Sequence, residues 1–181
     1  MATTFTRINA VVVDESFSRR ADAFLDPAWA AGTYAANQAT DLNPLASSGG
    51  CYRGMPVALA SATGKLVPIS QVTVPASTSA ARYYGVLAED ISAFVVARNG
   101  KVPVVHAGRV RSYAGGTLQT GDPVKPDITT GFNGFVKWVD GTDSVELRVG
   151  HAYSTLDGSD GNSPGVTMAQ GDTIFVDLVL V

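Results

Sequence analysis

If this chain carries out chemistry, the residues to test first are His106, His151, Cys51 and the run Gly161-Asn162-Ser163-Pro164-Gly165. That run has the letters of a hydrolase nucleophile elbow. An elbow needs a strand before the serine, a helix after it and a histidine later in the chain. Here Pro164 follows Ser163 directly and both histidines come earlier, so the run reads as a turn. Asp157, Asp160 and Asn162 lack the alternating acids and terminal Glu of an EF-hand calcium loop. Two histidines without matching Cys or carboxylate partners make a poor zinc site, and each is better assigned a hydrogen-bonded structural role at a strand end. A lone cysteine cannot close an internal disulfide, so Cys51 reads as a small buried apolar residue. Gly49-Gly50 and Gly115-Gly116 are not followed by Gly-Lys-Ser/Thr, so neither is a phosphate loop. The sequence predicts no catalytic residue, no metal ligand and no cofactor.

The elements around these residues are β-structure. Gly121-Asp122-Pro123-Val124 is followed by Thr130-Gly131, by Phe135 to Val139 and by Val145 to Gly150. Gly54-Met55-Pro56-Val57 is followed in the same order by Thr63-Gly64, by Leu66 to Ile69 and by Tyr84-Gly85-Val86-Leu87. In both copies Gly makes a turn and Pro opens a strand, where its missing N–H does least harm. This is an internal repeat-like pattern of turns and short strands. Asn99-Gly100 predicts a hairpin turn between Ile91–Val96 and Val102–Val105. Arg109 and Arg111 flank Val110, which predicts a half-exposed strand through Tyr113. Thr173 to Val181 is almost continuously apolar and predicts a strand covered on both faces, with its end tucked into a sheet or a subunit interface. Short strands separated by Gly and Pro turns place residues 51–181 in a small all-β barrel or sandwich.

Residues 1–50 form a different region, an N-terminal extended arm with a strand at Ile8–Val13 and a short helix at Ser16–Leu25. Phe17, Ala21, Phe24 and Leu25 would share one face of that helix, and Pro27 would stop it. Trp29 to Gly50 has no sustained periodicity and reads as an extended arm or loop that docks on a neighbour or on the barrel surface.

Composition narrows the partners. At 181 residues the chain can bury roughly 70% of its unfolded surface without a staple. Only 16% of residues are charged and the net charge is −3, with the 13 basic residues scattered. A nucleic-acid binder gains from a basic stripe, and there is none, so nucleic acid is not an expected partner. No apolar run approaches a membrane span, and Ile8–Val13 is too short for a signal peptide and is closed by Asp14-Glu15. The expectation is a protein of a soluble compartment.

The Gly54-Met55-Pro56-Val57 start, Tyr84-Gly85-Val86-Leu87-Ala88, Lys101-Val102-Pro103-Val104 leading to Gly108, Gly121-Asp122-Pro123-Val124, Val149-Gly150-His151-Ala152 and Gly171-Asp172 with its apolar strand together resemble tailed-phage capsid decoration (cement) proteins. The resemblance covers about residues 51–181. It implies a small β-barrel with an N-terminal arm, made in the host cytoplasm and carried on the virion exterior. It also implies the major capsid protein as partner, and a homotrimer at three-fold or quasi-three-fold lattice positions. Such a role needs no catalytic group, only a stiff β-body that closes by rotational symmetry and a segment that lies across a neighbour. Phe5, Ile8, Arg19, Arg20, Phe24 and Trp29 are the candidate capsid or intersubunit contacts, because they place apolar anchors in the arm. The alternatives are a virion fibre or tail component, or a carbohydrate-binding β-module using Tyr113, Phe132, Phe135 and Trp138. A hydrolase is the remaining class and lacks a constellation.

Overall fold

A computed structural model describes residues 11, 18–25, 53–59, 63–68, 83–90, 101–127, 134–143, 145–154 and 166–179. These residues form strands β1 (Arg19–Phe24), β2 (Pro56–Leu59), β3 (Leu66–Pro68), β4 (Tyr83–Leu87), β5 (Lys101–Tyr113), β6 (Leu118–Gln119), β7 (Pro123–Pro126), β8 (Phe135–Lys137), β9 (Gly150–Ser154), β10 (Thr167–Met168) and β11 (Thr173–Leu178). All but β6 and β10 belong to one nine-stranded sheet that curls into a nearly closed barrel shape. β6 and β10 pair as a separate ribbon.

The sheet is built from two five-stranded rings that share β5. In ring one the order is β3-β2-β4-β5, with β1 on the other edge of β5. A parallel bridge between Leu25 and Leu66 joins β1 back to β3. Ring two runs β5-β11-β9-β7-β8, and a parallel bridge between Ala114 and Phe135 joins β5 back to β8. The N-terminal half of β5 pairs with β1 and β4, and its C-terminal half pairs with β11.

The repeat in the sequence is a repeat in register. Val57 lies opposite Gly85 and Pro68, and Val124 lies opposite Gly150 and Lys137. Gly54 N–H donates to the Leu87 carbonyl (2.8 Å), as Gly121 N–H donates to that of Ala152 (2.8 Å). Leu87 N–H donates to Met55 (3.0 Å), as Ala152 N–H donates to Asp122 (2.9 Å). Gly54 and Gly121 both sit at positive φ, 88° and 90°, where a side chain is strained. Inside the paired strands the reason for glycine is space. A Cβ on Gly85 would lie 2.5 Å from the Val105 carbonyl oxygen, and one on Gly150 would lie 2.0 Å from that of Asp177.

Two apolar clusters fill the rings. Leu25, Val57, Leu66, Leu87, Val102 and Val104 form the interior of ring one. Ring two is larger and includes Val110, Tyr113, Ala114, Leu118, Val124, Phe135, Ala152, Met168, Ile174 and Val176. Met55, Val86 and Val105, from ring one, belong to this second cluster and tie the rings together. Tyr83 packs against it with its ring edge-on to Phe135 at 6.2 Å. Burial pushes the ionisation of the Tyr83 phenol well above its ordinary range.

Four expectations change. The helix expected at Ser16–Leu25 is strand β1 over Arg19–Phe24, with Ala21, Ala23 and Leu25 turned inward at a period of two. The strand expected from Val145 begins only at Gly150, because Val145–Leu147 is a single 3₁₀ turn. Val102–Val105 and Arg109–Tyr113 are parts of one strand, since Gly108 takes φ 102° without ending it. β11 is buried on alternate residues only, so Phe175 and Asp177 face outward, and Val179 beyond it is 58% exposed. The Ile91–Val96 strand, the 99–100 turn and, apart from Val11, the Ile8–Val13 strand lie outside the described residues.

Candidate functional site

β1 carries three of the expected contact residues. Arg19 and Arg20 are exposed at its start, and Phe24 is 51% exposed at its end. The strand is held from the inside: Leu25 is buried and Ala21 pairs with Val104. Asp22 makes an exposed ion pair with Lys101 across the β1–β5 pair (2.8 Å). β1 is therefore a rigid platform for a phenyl ring and two guanidinium groups. Phe5, Ile8 and Trp29 lie outside the described residues, as do Cys51, Phe132, Asp157, Asp160, Asn162 and Ser163.

A second polar and aromatic surface covers the outside of ring two. Register places Arg111 beside Phe175 and Phe175 beside Tyr153 in one row. Arg109, Asp177 and His151 form the next. Arg109 binds the Asp177 carboxylate through Nε and Nη2 at 2.6 and 2.8 Å, a bidentate pair with fixed geometry. The same guanidinium lies 5.2 Å from the centre of the Tyr153 ring. Arg111 lies over Phe175 (5.6 Å) and Arg148 over Trp138 (5.5 Å). Arg148 Nη2 also reaches His151 Nε2 at 2.9 Å, which an Nε2 lone pair would accept. The alternation Arg109-Val110-Arg111 signals this face in the sequence. Its aromatic partners come from β9 and β11, far along the chain, where nothing local marks them.

Beside it the segment 138–143 is fixed in shape. The Asp143 carboxylate bonds the Lys125 ammonium and accepts the Val139 N–H (2.7 Å). Burial of Asp143 favours the neutral acid, but these bonds and the Lys125 charge outweigh it and hold the carboxyl below its usual value. The loop displays Val139 (47% exposed), and the 3₁₀ turn displays Val145 (73%).

The chemical candidates stay apart from one another. His106 lies inside β5 rather than at a strand end, with Nδ1 2.5 Å from the Tyr84 carbonyl, so Nδ1 carries the proton and donates. Its Nε2 is buried without a partner among the described residues. No group of three or more His, Cys, Asp or Glu side chains among the described residues is placed to hold a metal ion. Of the aromatic residues considered for a sugar platform, Tyr113 and Phe135 are fully buried and Trp138 is 7% exposed. No described helix is long and apolar enough to cross a membrane.

No protein-family model matches the chain, and neither does any curated protein.

Proposed function

We propose that the chain is a viral structural protein, a decoration or cement protein that binds the outside of a phage capsid and stabilises its lattice as a trimer at three-fold or quasi-three-fold positions. Its partner is the major capsid protein, and its role is binding rather than catalysis. The observation that carries this reading is β1, where Phe24 and the Arg19-Arg20 pair stand exposed on a strand that is itself locked into a ring. An aromatic anchor beside arginines is the composition of an interface hot spot, and a rigid strand presents it with little entropy left to lose. The tandem rings supply the stiff body that the role requires.

The test is co-sedimentation with capsids of the source phage stripped of this protein. Saturable binding at a stoichiometry matching a lattice symmetry position, with capsids more resistant to heat, is the expected result. Phe24→Ala with Arg19→Glu and Arg20→Glu should abolish it. Deleting residues 1–30 is the poorer test, because it removes a ring strand as well as the surface. Wild-type protein that ignores the head would end the reading.

A further inference from the structure

The turn in segment 138–143 holds an aspartate unlike the others. Asp22, Asp90, Asp122, Asp143 and Asp177 each pair with a lysine or an arginine. Among the described residues Asp140 has no such partner, and it alone among the described aspartates is followed by glycine. Its Oδ1 accepts the N–H of that glycine, Gly141, at 3.0 Å. Both residues are exposed, Gly141 sits at φ 72°, and a Cβ on it would meet no atom within 4 Å. The Gly141 nitrogen therefore touches the Asp140 carboxyl group with no side chain to shield it. The frame around this contact is fixed. The Val139 carbonyl accepts the N–H groups of Thr142 (3.2 Å) and Asp143 (2.9 Å), and the Asp143 carboxylate accepts the Val139 N–H (2.7 Å). Groups held in contact by a fixed frame react faster than the same groups on a free chain.

We propose that Asp140 is a modification site, at which the folded turn converts the Asp140–Gly141 linkage to an isoaspartyl linkage through a cyclic imide. The Gly141 nitrogen attacks Cγ of Asp140. The new N–Cγ bond replaces one C–O bond of the carboxyl group, and that oxygen leaves as water with the amide proton and the carboxyl proton. Water then reopens the imide. Breaking the N–Cγ bond restores Asp140. Breaking the bond between that nitrogen and the Asp140 main-chain carbonyl carbon leaves the chain running through Cβ and Cγ. The two steps release and consume one water, so no oxidant or group donor is needed and the mass is unchanged. The product has one more backbone atom inside the turn that the Val139 carbonyl closes, so the bonds from Thr142 and Asp143 should loosen. It also exposes a free α-carboxylate, the group that an isoaspartyl methyltransferase esterifies from S-adenosylmethionine. The capsid reading is not required, and the experiment below uses no capsid.

The experiment incubates the full-length protein in native buffer, cleaves it after Lys137 and Arg148, and maps the fragment by mass spectrometry with electron-transfer fragmentation. A synthetic peptide of residues 138–148 and the full chain in urea are incubated beside it. A species lighter by one water, then isoaspartate at residue 140, is expected, forming at least about twofold faster in the folded protein than in the peptide. The chain in urea should fall to the rate of the peptide. Fragment mapping separates residue 140 from Asp157-Gly158 and Asp160-Gly161, which carry the same dipeptide outside the described residues. Asp140→Glu keeps the charge but would have to close a larger ring, and its fragment should lose both the imide and methylation by purified isoaspartyl methyltransferase. Isoaspartate at 140 that forms no faster in the folded chain than in the peptide or in urea, or none at 140, overturns the proposal.

Discussion

Matched position by position, the two rings keep the register and change the side chains. Leu25, Val57, Leu66, Leu87, Val102 and Val104 in ring one correspond to Ala114, Val124, Phe135, Ala152, Ile174 and Val176 in ring two, and every one is buried. The bridge pair Leu25–Leu66 becomes Ala114–Phe135, a larger ring facing a smaller partner. Outside the rings the change is one of kind. Val86 and Val105 lie in the cluster between the rings, whereas their counterparts His151 and Asp177 face outward. A repeat that is followed by another needs an apolar contact face, and one that ends the array needs a polar face. The backbone geometry is thus the invariant, and the side chains record what each ring touches.

The comparison breaks most severely at the paired glycines. Gly150→Ala should cost about 3 kcal/mol or more, because its Cβ meets a backbone carbonyl that cannot move without parting β9 from β11. Gly85→Ala meets the matching carbonyl of β5 from a residue at φ 150° and should be similarly severe. Since β5 belongs to both rings, either variant should lower the midpoint of a single denaturation transition. Two resolved transitions would show that the rings are separate folding units.

The bridge pair tests whether volumes compensate. Phe135→Leu should cost about 2 kcal/mol through the space it leaves, and Ala114→Leu about 2 kcal/mol by overpacking. Together they install the Leu–Leu pair of ring one. The double variant should lose at least about 1 kcal/mol less than the sum of the two, measured by urea denaturation. Strict additivity would mean that the bridge residues do not share one packing site.

Much of this was legible in the sequence because it is local. The Gly-x-Pro-Val openings marked β2 and β7, since a positive-φ glycine and a strand-opening proline act within a few residues. β1 was not legible. Ala21, Phe24 and Leu25 fit a helical face as well as Ala21, Ala23 and Leu25 fit a strand, and only pairing with β5 decides between them. In β11 the outward Phe175 hides the alternation that burial reveals. In the sequence Arg19, Arg20 and Phe24 read as anchors in an arm, but their place on a ring depends on Leu66, far along the chain.

Asp143 sharpens the contrast at the next level, since Lys125 and the Val139 N–H bond it within ring two. Asp143→Asn should cost about 1–2 kcal/mol at neutral pH by leaving a mostly buried ammonium poorly paired. The folded carboxyl titrates below its unfolded value, so its contribution is present above the unfolded value and is lost as pH falls through the folded one. The gap between wild type and Asp143→Asn should therefore narrow as the pH drops below about 4. A gap independent of pH down to acid unfolding would assign the loss to loop geometry instead of charge.

The smallest expected effect on stability separates contact face from terminal face. Asp177→Val with His151→Val gives ring two the outward residues that ring one buries between the rings. Asp177 is part of a partly exposed ion pair, so the change should alter stability by about 1 kcal/mol or less. What should change is association: the new valines lie beside Tyr153 and Phe175, and the enlarged apolar patch should drive concentration-dependent self-association in sedimentation velocity. Asp177→Asn with His151→Gln removes the same ionisable groups without adding apolar surface and should not associate this way. If both doubles associate equally, charge rather than polarity keeps the face open, and the difference between Val105 and Asp177 reflects repulsion between copies instead of the end of an array.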